Sequence, residues 1–246
     1  AFGFTPGTPH DVLINPAASA TVYGPSEASV RSLAVSGTGS NLVTLNLNGG
    51  SIATQNGTTL GANGTLAGSG RLVGKLAVQN GGRVSVGSYE TQQLAGNVNV
   101  ANGGRIDAQA RSGQAGLEIG GTLGNAGRVN LLNADVFAHG GTSNSGIISI
   151  AGYTTLSGAV DNRSGGQVNV SGVGSQAIFW DNFHNEGSLT VTNSATATFF
   201  GLVNGAGNFY GGGAKESAGG YSPGNSPALT TLSGPISLTG GFVTME

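Results

Sequence analysis

Eleven carboxylates offer the first place to look for chemistry in this chain, and no two of them are adjacent. Asp161 and Asp181 are the pair of interest, because their separation matches one step of a repeat described below. If they stack one repeat apart, a separation of about 5 Å suits retaining glycoside hydrolysis and a wider one suits inverting hydrolysis. Each also precedes an asparagine, in Asp161-Asn162 and Asp181-Asn182. That context favours the competing expectation, a turn in which the carboxylate accepts backbone N–H bonds. The histidines His10, His139 and His184 are scattered without a His-x-x-x-His spacing, so no zinc site is expected. Trp180-Asp181-Asn182-Phe183-His184 is the most polar-aromatic segment and is expected to be a loop beside packed aromatics rather than a ligand site.

Other chemical signatures do not occur. No Gly-x-Ser-x-Gly elbow is expected between a strand and a helix. Lys75 follows Gly74 without the glycine spacing of a phosphate loop. The calcium-binding Gly-Gly-x-Gly-x-Asp nonapeptide is missing, and the paired threonines Thr58-Thr59 and Thr154-Thr155 do not recur as a regular array. No catalytic residue, cofactor or metal site is expected, and the chain reads as non-enzymatic. Arg83, Arg105 and Arg128 share one position of a repeat. As a row they would draw an anionic polymer weakly; the simpler expectation is a solvated row guarding one flank.

The elements that would position these residues follow from composition. Glycine supplies 47 of 246 residues, and charged residues make up 8%. Helix bundles are disfavoured, since glycine costs about 1 kcal/mol per helical position. Collagen is excluded by the lack of a Gly-X-Y period, and a disulfide framework by the absence of cysteine. Nine Lys+Arg against eleven Asp+Glu leave a net charge of -2, so no nucleic-acid partner is expected. With 37% hydrophobic residues the chain can bury a core, which sets it apart from disordered sequence. No apolar run approaches about 18 residues, so no membrane span is expected.

A repeat organises the chain. Asn80-Gly-Gly82-Arg-Val84-Ser-Val86 returns as Asn102-Gly-Gly104-Arg-Ile106-Asp-Ala108 and as Asn125-Ala-Gly127-Arg-Val129-Asn-Leu131. Copies follow at Asn144-Ser-Gly146, Asn162 to Gly166, Asn185-Glu-Gly187 and Asn204 to Gly207, with glycine steps of 22, 23, 19, 20, 21 and 20. That step suits one coil of a parallel β-helix, with Asn and Gly taking left-handed turn conformations. The expected fold is all-β: a single parallel β-helix (solenoid) of about 20-residue coils. One domain, 1–246, is expected, with a cap or arm over 1–20, coils over 22–210 and irregular C-terminal coils over 211–246. About a dozen coils would make a rod of about 55–60 Å. The step from Gly50 to Gly70 fits one coil, but that from Gly70 to Gly82 is far too short, so phase is lost before residue 80.

Within coils of that length Phe179 stacks with Phe199 and Trp180 with Phe200, each pair one coil apart. Neighbours in a strand face opposite sides, so one stack belongs in the core and the other outside. The outer stack is either packing under a loop or an exposed ledge for sugar rings or a partner subunit.

Further stretches carry a family resemblance: Val22-Tyr-Gly-Pro25, Leu45-Asn-Leu-Asn-Gly-Gly50, Phe199-Phe200-Gly201 through Phe209, and Tyr221-Ser-Pro-Gly-Asn-Ser-Pro227. Together they resemble exported bacterial glycine-rich β-helix proteins of the PEP-CTERM sorting type, and are similar to autotransporter passenger repeats. Members usually continue past a strand like Phe242 to Glu246 into a terminal anchor, so the likeness here rests on the body of the chain. The resemblance implies secretion from a bacterium, and a place at the cell surface or in the exopolysaccharide matrix.

The leading expectation is a non-enzymatic extracellular structural protein that self-associates head-to-tail into filaments. One alternative is an adhesin or polysaccharide-binding module using Trp180 and Phe200, with Arg83, Arg105 and Arg128 as further contacts to a glycan or subunit. Another is a polysaccharide lyase or hydrolase built on converging carboxylates.

Overall fold

The structure is a computed structural model, and it describes residues 9–192, 194–224 and 230–240. The segments Asn225 to Leu229 and Phe242 to Glu246, which carry part of the family resemblance, lie outside the described residues. So does much of the N-terminal stretch expected to be a cap.

The described chain is all-β and forms a three-sided parallel β-solenoid. Each full coil contributes one short strand to each of three sheets. The first sheet has eleven strands, from Asp11–Ile14 to Tyr221–Pro223. The second has ten, from Ala20–Tyr23 to Asn208–Tyr210, and the third has eleven, from Glu27–Val30 to Ile236–Leu238. Each strand pairs in parallel with the strand one coil away, so strand pairing runs further in both directions than the expected 22–210. Eleven strands make ten spacings, or about 48 Å of rod, a little shorter than expected.

Alternation builds the core. In Arg83–Val86 the side chains of Val84 and Val86 are buried, whereas Ser85 faces outward. Stacking then turns each inward position into a column. In the second sheet one column runs Leu45, Leu66, Val84, Ile106, Val129, Ile148, Val168, Leu189 and Phe209. All nine are at most 4% exposed. Burying a side chain of this size contributes about 1.5–3 kcal/mol, which favours this register over a slip that would turn the column outward.

The early coils also resolve the lost phase. Thr65 pairs with Arg83, which places Gly64 one coil before Gly82. Ser51 pairs with Arg71, so Gly50 and Gly70 form another column, at the corner between the second and third sheets. The glycine series that loses phase thus mixes two different corners of the coil.

Asparagine and glycine both take left-handed turns, as expected: Asn48, Asn63 and Asn133 have φ of 52°, 58° and 46°, and Gly81, Gly103 and Gly165 have φ of 76°, 81° and 81°. The glycines that set the repeat, such as Gly104, need space instead. A Cβ at Gly104 would sit 2.5 Å from the carbonyl oxygen of Val78 and 2.8 Å from that of Gln79, in the coil below. The asparagines at 125, 144, 162 and 185 point into the core, where they continue the column of Val35, Leu60, Val78 and Val100.

Candidate functional site

The aromatic ladder grows out of the third sheet. Strand Gln176–Phe179 buries Ala177 and Phe179 and turns Ile178 outward; Thr196–Phe199 repeats the pattern one coil on. Phe179 pairs in register with Phe199, and their rings stack at 4.9 Å with an interplanar angle of 11°. Phe183, from the adjoining first sheet, packs on both rings at 5.0 Å. Parallel pairing continues one residue past each strand, since the N–H of Trp180 donates to Leu156 O and that of Phe200 to Phe179 O. Trp180 and Phe200 are thereby held outside the core, rings stacked at 4.6 Å and 12°. They are 49% and 44% exposed, so the outer stack is open to solvent.

The same outward column holds residues that sequence spacing did not reveal. Arg71, Gln93, Glu118, Phe137 and Ser157 occupy successive rungs, and the register leads on to Trp180 and Phe200. Phe137 is 42% exposed, and its ring meets the imidazole of His139 at 4.0 Å. His139 Nε2 lies 3.2 Å from Glu118 Oε1. Phe137 precedes Trp180 by two coils of unequal length, and the only signal for it is the register itself.

Arg83, Arg105 and Arg128 do stand on successive rungs of the second sheet. The row is not simply solvated, however. Asp107, only 5% exposed, lies 2.6 Å from Arg83 Nε and 3.2 Å from Arg105 Nε. It also accepts a 2.6 Å hydrogen bond from Asn130 Nδ2. One carboxylate thus partly neutralises two of the three guanidiniums, beside an open groove of about 500 Å³ that Thr44, Thr65, Arg83 and Arg105 help to line.

The carboxylate pair does not form. Asp161 stands opposite His184 on the first sheet and lies 3.1 Å from Arg163 Nε. Asp181 lies at the corner between the third and first sheets, where its Oδ2 accepts the N–H of Gly158 at 2.7 Å. At this point of the first sheet one coil runs from Val160 to Phe183, which is longer than the spacing of the two acids, so they do not align. The expected turn holds in part: Asp161 is a strand residue, whereas Asp181 sits at a corner and accepts a backbone N–H, from the coil below rather than from its own turn. His184 is held between Asn204 Oδ1, at 2.8 Å from its Nδ1, and Glu186 Oε1, at 3.4 Å from its Nε2. Among the described residues no three His, Asp or Glu side chains converge to hold a metal ion.

Comparison with protein-family models, curated proteins and solved structures finds no match. Among the described residues no helix is long and apolar enough to cross a membrane.

Proposed function

We propose that the protein is a non-catalytic structural rod that works outside the bacterial cell, at its surface or in the exopolysaccharide matrix. The observation that supports this is the unbroken strand pairing of the three sheets, coil on coil. Such a ladder resists bending and local opening, because each coil is hydrogen-bonded to both neighbours. Its terminal strands, Asp11–Ile14 and Tyr221–Pro223 among them, each have one neighbour within the described residues. Strand edges of this kind pair head-to-tail, and contacts of that type extend into filaments. Electron microscopy of the purified protein at rising concentration tests the proposal. Fibres with an axial repeat near the rod length support it; dispersed single rods at every concentration count against assembly.

The exposed Trp180–Phe200 stack favours a second reading, a polysaccharide-binding module. The two rings cover each other's inner faces, so a sugar would meet their exposed edges or the outer face at one end of the stack, while its hydroxyls meet polar neighbours. Trp180→Ala and Phe200→Ala should then weaken glycan binding while circular dichroism stays unchanged. A glycan array without hits removes this reading. The lyase or hydrolase alternative needed Asp161 and Asp181 to converge, and it is not carried forward.

A further inference from the structure

We infer that the arginine column of the second sheet is a binding track for an acidic, uronate-type polysaccharide lying along the rod axis. This deepens the matrix reading above and rests on it.

Register builds the track. Thr44, Thr65, Arg83, Arg105 and Arg128 stand on five successive rungs of one outward column. They span four strand spacings, about 19 Å of rod. The groove beside them follows the column from Thr44 to Arg105, and the small side chains of Ala67 and Ser85 keep it open. The fold itself does not call for arginine here. Later rungs of the same column carry Ile147, Gln167 and Ser188, which pair in the same register. Guanidiniums on adjacent rungs repel one another, so the column is best satisfied by a partner that brings negative charge.

Charge and chemistry select that partner. In the ten strands of this sheet the charged side chains are Arg83, Arg105, Arg128 and Asp107, an excess of two positive charges in a chain whose net charge is -2. Among the described residues Asp107 is the one acid paired with Arg83 and Arg105, and Arg128 has no ion pair. From Ala115–Ile119 to Ala214–Ser217, the outward positions of the third sheet carry Glu118, Asp135 and Glu216 and no lysine or arginine, so a polyanion is repelled there and drawn to the second sheet. Planar guanidiniums bind carboxylates through paired N–H bonds. The hydroxyls of Thr44, Thr65 and Ser85 along the groove can meet those of sugar rings. A sugar in an extended chain advances by about one strand spacing, so the charges of a polyuronate and of the column recur on the same scale. Nucleic-acid binding draws on far more phosphate contacts than this face can supply.

Isothermal titration at low salt with oligogalacturonates of two to six sugars tests the inference, with neutral cello-oligosaccharides of the same lengths for comparison. Affinity should climb with length until about four or five sugars span the column, and should fall as salt is raised. Arg128→Gln, which leaves both Asp107 pairs intact, should weaken binding of the longest oligomer about threefold. Changing all three arginines to glutamine should remove binding, with circular dichroism checking the fold; Arg128→Gln decides alone if the triple variant does not fold. Asp107→Asn should tighten binding about threefold, since it adds one net positive charge beside the groove. Native affinity in the arginine variants, no binding at all, or a length dependence that ends at two sugars overturns the track. So does tighter binding of a single-stranded oligonucleotide or of the neutral oligomers. Titration reads dispersed rods, so these results leave filament formation to be decided separately by microscopy.

Discussion

The side-chain amide of Asn144 donates from Nδ2 to Oδ1 of Asn162 at 2.8 Å, inside the core of the rod. It is one rung of a ladder that runs from Asn125 through Asn144 and Asn162 to Asn185 with bonds of 2.7–2.8 Å. Each amide also donates to a backbone carbonyl, those of Ile147, Gln167, Ser188 and Asn208. All four residues are at most 2% exposed, so the polar column survives in the core only because its members satisfy one another.

Asn144→Ala should therefore destabilise the protein by about 2–4 kcal/mol, since it removes two ladder bonds and leaves Asn125 and Asn162 each short of a buried partner. Replacing all four asparagines with valine or leucine, the residues of the same column in earlier coils, should recover most of that loss. Urea unfolding midpoints compare the variants. A quadruple variant weaker than the single one would mean that the ladder does more than satisfy itself.

Two glycines separate steric need from conformational need. Gly104→Ala brings a methyl group against the Val78 and Gln79 carbonyls and should cost about 3 kcal/mol. Gly165→Ala meets nothing within 4 Å and should cost only about 1–2 kcal/mol, for its φ of 81°. Thermal unfolding ranks them, and equal losses would show that the coil spacing can relax at Gly104.

Asp107→Asn should cost about 1–2 kcal/mol at low salt, because it leaves Arg83 and Arg105 on adjacent rungs without their shared counter-charge. The deficit should shrink at high salt, where repulsion between neighbouring guanidiniums is screened. A loss independent of salt would assign the effect to hydrogen bonding by Asn130 rather than to charge.

Lys215 is buried, and its Nζ donates to the carbonyls of Gly211, Gly213 and Ser233 at 2.9, 3.1 and 2.7 Å. Burial pushes its pKa below the ordinary lysine value of 10.5. The unfolded chain therefore binds more protons than the folded one between the lowered value and 10.5. Stability from this group should rise with pH across that window and be smallest below it. Lys215→Met should flatten the rise and cost about 1–3 kcal/mol, since three carbonyls lose their donor. Unfolding measured from neutral pH to pH 11 checks both effects.

Much of the fold could be read from the amino-acid sequence. The alternation in Val84-Ser85-Val86 and the regular glycine step are local, repeated signals, and a repeat adds the same information many times over. The Phe179–Phe199 and Trp180–Phe200 stacks were legible for the same reason, because the coil joining them has the repeat's ordinary length. Phe137 and the mismatch of Asp161 with Asp181 were not, because neighbouring coils differ in length and so shift which side chains share a column.

Sequence alone therefore determined that the backbone winds in parallel coils around an apolar interior, since periodicity and alternation are properties of the chain itself. Only the tertiary structure decided which corner each glycine serves, why Asn144 lies inside, and that Asp107 bridges Arg83 and Arg105. Those outcomes depend on the length of every intervening corner, and a corner that is slightly longer still closes the same coil.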